Sequence, residues 1–174
     1  MRHLLTLTLL LVTYFGNAQK IDLTPAGFTP VVIELNDKSA EDIYIGIIKY
    51  INRNYKTPSE VLKGDIKNEY VRLDGFMNKM WCYKAIGLTA CVDQLYSVEL
   101  DIKEGKFRMT FTPNKGYASG TRDPLLFTYK TFFKRDGSVK NIYSSARDSF
   151  EVSVNNIRKE IVDEINGKSS NNDW

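Results

Sequence analysis

Cys82 and Cys91 are the only cysteines of the chain, and their spacing points to a covalent link. If Ile86-Gly87 is a two-residue turn, Ala85 faces Leu88. The pairs then run outward through Lys84 with Thr89 and Tyr83 with Ala90 to Cys82 with Cys91. That last pair is a non-hydrogen-bonded one, where the Cα atoms of two strands lie close enough for a bridge. A disulfide there closes a short loop and contributes about 2 kcal/mol. The other outcome is two buried thiols that pack as small apolar side chains. The spacing is not C-x-x-C, so it carries no redox motif.

The segment from Pro113 to Pro124 is rich in small residues and carries Tyr117, Ser119, Arg122 and Asp123. Such a loop can bind an anion or a sugar, and it can equally be a flexible connection. It has neither P-loop nor nucleophile-elbow spacing. Asp74, Asp93, Glu99 and Asp101 are the carboxylates from which a histidine-free glycosidase pair would be drawn. Glu99 and Asp101, however, alternate with apolar residues, which places them on a solvated face. Asp37, Glu41 and Asp42 lack the EF-hand register, and a capped helix start accounts for them. No catalytic residue, cofactor-binding residue or metal ligand is assigned. Tyr50, Tyr55, Tyr83, Tyr117 and Trp81 would mark a recognition surface wherever they are exposed.

The N-terminus sharpens these exclusions. Met-Arg-His precedes an apolar run from Leu4 to Phe15 and then Gly16-Asn17-Ala18, the pattern of a secretory signal peptide cut between Ala18 and Gln19. The run is too short to span a membrane, which takes ~20 apolar residues. No later apolar run reaches that length, and no cysteine follows the cut to carry a lipid. The expected product is exported to a periplasmic or extracellular space, where a disulfide is stable. The only histidine, His3, leaves with the leader. Ser-His-Asp and Cys-His machinery leave with it, as does the commonest transition-metal ligand. The charge after cleavage is about +2, and the basic residues are scattered rather than gathered on one face. A nucleic-acid partner is therefore not expected.

The remaining chain, roughly 156 residues, is one domain by length and long enough to form a core without staples. Residues 19–30 read as an irregular lead-in, 31–167 as a single α+β domain and 168–174 as a polar tail. Val31 to Leu35 is a strand. Ser39 caps a helix to about Asn54, with Asp42 in the capping-box position and Ile43, Ile47 and Ile51 on one face. Tyr70–Met77 and Met80–Ala85 are strands. Folding about Glu104-Gly105 sets Ile102 against Phe107, Leu100 against Met109 and Val98 against Phe111, with every apolar residue on one face. Phe127 to Phe133 alternates as a strand, and Asp136-Gly137 turns it into Val139 to Tyr143. Phe150, Val154, Ile157, Ile161 and Ile165 line a final helix with a cap at Ser145 and a stop at Gly167. Two amphipathic helices and a one-faced sheet predict a single curved antiparallel β-sheet with both helices on the same face.

Several of these stretches carry a family resemblance. They are the opening Ser39-Ala40-Glu41-Asp42-Ile43-Tyr44, the close Asn54-Tyr55-Lys56 and the run from Tyr96 to Arg108 around Glu104-Gly105. The chain resembles domain-of-unknown-function family 4468, over about Val31 to Phe111 and loosely over the final helix. The resemblance implies exported proteins with a TBP-like fold, in strand-helix-strands-helix order. It implies no activity and no site residues, and the cysteine pair is not part of its pattern. Fold does not imply function, so the fold name carries no DNA binding. Nearly every patterned residue has a structural explanation. The expectation is therefore a non-catalytic binding or scaffolding module for a protein, glycan or small apolar ligand. The alternative is a small hydrolase that uses carboxylates alone.

Overall fold

The computed structural model describes residues 20–168 except Ile86 and Arg122. Ala18, Gln19 and the expected leader lie outside the described residues, as does Arg122 of the 113–124 segment. In chain order the elements are β1 (Leu23–Thr24), β2 (Gly27–Phe28), β3 (Val31–Glu34), α1 (Ala40–Asn54), α2 (Pro58–Val61), β4 (Leu62–Ile66), β5 (Tyr70–Ala85), β6 (Leu88–Lys103), β7 (Lys106–Ala118) and α3 (Ser144–Ile165). β3 to β7 form one antiparallel sheet in the order β3-β7-β6-β5-β4, and β1 pairs with β2 alone. α1 and α3 lie on one face of the sheet. The opposite face is left open.

Local chemistry sets the helix ends. The Ser39 hydroxyl accepts the Asp42 amide, and the Asp42 carboxylate accepts the Ser39 amide, so the capping box forms as expected. Gly167 stops α3 at φ 67°: its amide reaches Glu164 O while Lys168 N reaches Asp163 O, a Schellman motif. Gly46 lets the helices meet, because a Cβ there would lie 2.7 Å from the Ile165 Cα. α3 also closes the outer edge of β5. Ser149 Oγ accepts the Cys82 amide, and Ser153 Oγ donates to Met80 O at 2.6 Å. Those serines occupy backbone groups that would otherwise invite another strand.

The register of the sheet follows the alternation. Ile102 pairs with Phe107, Leu100 with Met109 and Val98 with Phe111, and all six side chains are buried beneath the helices. Cys82 pairs with Cys91, their Cα atoms are 4.0 Å apart, and the two sulfurs are bonded. Two bulges interrupt the ladder on either side of β6. Between Met77 and Trp81, three residues of β5 oppose the single residue Asp93. Between Pro113 and Gly116, two residues of β7 oppose Leu95. Bulges bend and twist a sheet, and both of these lie opposite residues 93–95 of β6.

Four expectations are corrected. The lead-in is not irregular throughout: Leu23–Thr24 and Gly27–Phe28 pair, and Ile21, Leu23 and Phe28 are core residues. Phe28 packs edge-on against both Phe111 and Phe150. The expected 113–124 loop is strand as far as Ala118, because Pro113 still pairs with Tyr96 and the bulge absorbs Asn114 and Lys115 without ending the pairing. The expected strand from Phe127 to Phe133 holds a 3-10 turn at Tyr129–Phe132, and a second 3-10 turn spans Asn141–Tyr143. Only Phe133 and Val139 bridge across the Asp136-Gly137 turn. Of the alternating aromatics there, Phe133 is buried while Phe127 and Tyr129 pack partly buried against the core; Phe127 and the out-of-phase, fully buried Phe132 both meet Trp81. Finally, α3 begins at Ser144 with no side-chain cap, so the cap expected at Ser145 is absent.

Candidate functional site

Of the residues singled out from the 113–124 segment, Tyr117, Ser119 and Asp123 are described. Tyr117 lies in β7 opposite Asp93. The chain then folds back on itself: Ser119 N donates to Cys91 O, Ala118 N to Asp123 O and Leu125 N to Gly116 O. Ser119 and Asp123 therefore belong to a backbone-bonded return. Glu99 and Asp101 lie on the open face as expected, and Asp101 is bridged to Arg108 at 2.8 Å. Tyr50 and Trp81 are buried, so neither belongs to an exposed recognition surface. Among the described residues, no group of three His, Cys, Asp or Glu side chains is placed to hold a metal.

The open face divides into two halves. Toward the β6–β7 turn its charges satisfy one another through Asp101–Arg108, Arg72–Asp74 and Glu34–Lys106. Toward the bulges it is apolar. Phe76 and Leu95 form a cross-strand pair there, and Phe76 is 48% exposed in the middle of the longest strand pairing. A hollow lies on each side of this pair. One, of about 350 Å³, is lined by Phe76, Asn78, Asp93, Leu95 and Tyr117. The other, of about 370 Å³, shares Phe76 and Leu95 and reaches Asp74, Gly75, Asn114 and the hydroxyl side of Tyr55 and Tyr96. Together they make a trough across the bent part of the sheet.

Each end of the trough has a defined electrostatic character. Asp93 is only 6% exposed. Its Oδ1 accepts the amide of Lys79 at 2.8 Å, where the backbone takes φ 49°. The carboxylate thus replaces the ladder acceptor that the bulge removes. At the other end Ser97 Oγ donates to Asp74 Oδ1 at 2.7 Å and accepts from Asn114 Nδ2 at 3.0 Å. Under that end, Tyr55 and Tyr96 share a hydroxyl–hydroxyl bond of 2.9 Å. Burial pushes both phenols, and that of Tyr50, well above the usual tyrosine range, so all three stay neutral. Gly75 makes room for this cluster: a Cβ there would come within 2.5 Å of Tyr96 Cζ.

No protein-family model and no curated protein sequence matches the chain. Two solved structures do match it in shape. One is a TBP-like protein from Parabacteroides distasonis ATCC 8503, at 9% identity and a TM-score of 0.59, covering 81% of this chain and 93% of that one. The other is a DUF4468 family protein from Bacteroides ovatus ATCC 8483, at 8% identity and a TM-score of 0.57, covering 92% of this chain and 95% of that one. The fold is TBP-like. The likeness agrees with the resemblance carried by the helix cap and the hairpin, and at such identity it transfers architecture alone.

Two other hollows lie away from the open face. A seam of about 480 Å³ separates the β7 bulge from residues 125–130, over buried Trp81 and Gln94. Gln94 is satisfied there, accepting from Trp81 Nε1 and donating to Leu95 O. A polar groove between the ends of α1 and α3 is crossed by the Arg53–Glu164 ion pair. In the sequence Asp93 stands as one carboxylate among four, and no pattern marks Phe76, Asn78 or Leu95. The available signal was the break in alternation at Asn78-Lys79, opposite an acid set between Val92 and Gln94.

Proposed function

We propose that the chain is an exported, non-catalytic binding module that receives its ligand in the trough around Phe76 and Leu95. In this reading residues 1–18 are a cleaved leader and 31–167, with the docked 20–30 segment, form one domain. The periplasm or the cell exterior is its place of action. The Cys82–Cys91 disulfide supports an oxidising compartment. Among the described residues no helix is long and apolar enough to cross a membrane.

One observation carries the binding role. A large aromatic stands exposed between two hollows, on the sheet face opposite α1 and α3, with Lys56, Thr57 and the α2 residues Glu60 and Val61 bordering the second hollow. Concave, largely apolar sites with a few placed polar groups are the usual form of ligand sites. The carboxylates favour binding over hydrolysis: of the two acids buried among the described residues, Glu151 is taken up by structural donors, and the hollow that Asp93 lines holds no second described carboxylate to pair with it. Glu151 accepts from Leu23 N, Lys20 and Arg147, and Asp93 holds the bulge.

A fragment screen by amide-shift NMR on the purified protein tests this. Hits should move the amides of Phe76, Leu95 and Tyr117, and Phe76→Asp should abolish those shifts without changing the fold. Hits confined to Trp81, Phe127 and Tyr129 would move the site to the seam and refute the trough.

A further inference from the structure

The two buried acids differ in a way that the fold alone does not require. Glu151 is met by three donors, two of them cationic. Asp93 is nearly as buried, yet among the described residues it receives one hydrogen bond, on Oδ1, from a neutral amide. Among the described residues no lysine or arginine pairs with it. Holding the bulge needs a single acceptor, and the amide oxygen of an asparagine would supply one. A buried carboxylate without a counter-charge is costly, so its charge is surplus to the structural task.

That surplus charge lines the hollow formed by Phe76, Asn78, Leu95 and Tyr117. An aromatic face beside a carboxylate is a cation site, since the ring quadrupole and the ion pair act in the same direction. One ring of this lining already meets a cation, since Lys115 Nζ lies 5.4 Å over Tyr117, although Lys115 itself does not line the hollow.

Resting on the trough reading above, we infer that the Asp93 end takes a small organic amine. Its ammonium sits on the unclaimed Oδ2 of Asp93, and its alkyl body lies against Phe76 and Leu95. The test is a pair of amide-shift titrations on the purified protein, with n-butylammonium chloride and with n-butanol at matched ionic strength. Butylammonium should saturate shifts at Phe76, Asn78, Asp93 and Tyr117, with butanol weaker by about ten-fold. Asp93→Asn, which keeps the bulge acceptor, should erase that difference. Equal binding of the two probes to the unmodified protein would overturn the amine assignment and leave the trough standing. Absence of saturable shifts at Phe76 with either probe would overturn the assignment and count against the trough as well.

Discussion

The amide of Lys79 donates to Asp93 Oδ1 at 2.8 Å, across a stretch where three residues of β5 oppose one residue of β6. One side chain thereby supports the irregularity that bends the sheet and also lines the hollow beside Phe76. Asp93→Ala should cost about 1–3 kcal/mol in urea denaturation, because it orphans a partly buried amide. Asp93→Asn should cost well under half of that. Equal losses in both variants would show that the negative charge, rather than the acceptor, holds the bulge.

The disulfide should stabilise the fold by about 2 kcal/mol, the loop being short. The Cys82→Ala/Cys91→Ala double variant and the reduced wild type should lose similar amounts. Non-reducing peptide mapping of exported material should link Cys82 to Cys91. Free thiols in that material would argue against an oxidising destination.

The α1 capping box gives stability a defined pH dependence. Hydrogen bonds from Ser39, first the hydroxyl and then the amide, hold the Asp42 carboxyl below its ordinary value of 3.8. A depressed pKa contributes stability that is present above the unfolded value and lost as pH falls through the folded one. Asp42→Asn should therefore be less stable than wild type at neutral pH, with the gap closing below pH about 4. A gap that stays constant down to acid unfolding would contradict this account.

Glu151 fastens the N-terminal segment to α3. It accepts Leu23 N at 2.8 Å, Lys20 Nζ at 2.9 Å and Arg147 Nη2 at 2.7 Å, while Asn155 takes both backbone groups of Ile21. Glu151→Ala should cost about 3 kcal/mol, since it strips a buried charge partner from Arg147 and an acceptor from the Leu23 amide. Hydrogen exchange should accelerate first over residues 21–28. Uniform acceleration across the sheet would instead mean that this segment does not open separately.

What the sequence revealed depended on whether regular periodicity or an irregularity did the work. Tyr96 to Phe111 alternates without a break, so its register and buried face were legible, as were the Ser39–Asp42 box and the Cys82–Cys91 pairing. The bulge at Asn78–Met80 was not, because an interruption of alternation reads equally as the end of one strand and the start of another. Pro113 and Gly116 resemble loop residues, yet a bulge and a paired strand end accommodate them. Phe127 to Phe133 alternates as a strand would, and its rings do enter the core, but from 3-10 and irregular backbone packed over Trp81. The trough was hidden for the same reason: two bulges create it, and only folding brings Phe76, Asp93 and Tyr117 onto one surface.

The central claim is that the face around Phe76 is occupied where the protein works. Photo-crosslinking in living cells tests this most directly, with benzoyl-phenylalanine replacing Phe76 in one strain and Leu126, which is fully exposed elsewhere, in another. The account predicts a discrete adduct from position 76, absent from position 126 and lost when Asp93→Asn or Tyr117→Ala is added. Adducts of equal yield from both positions, or none from position 76, would contradict it.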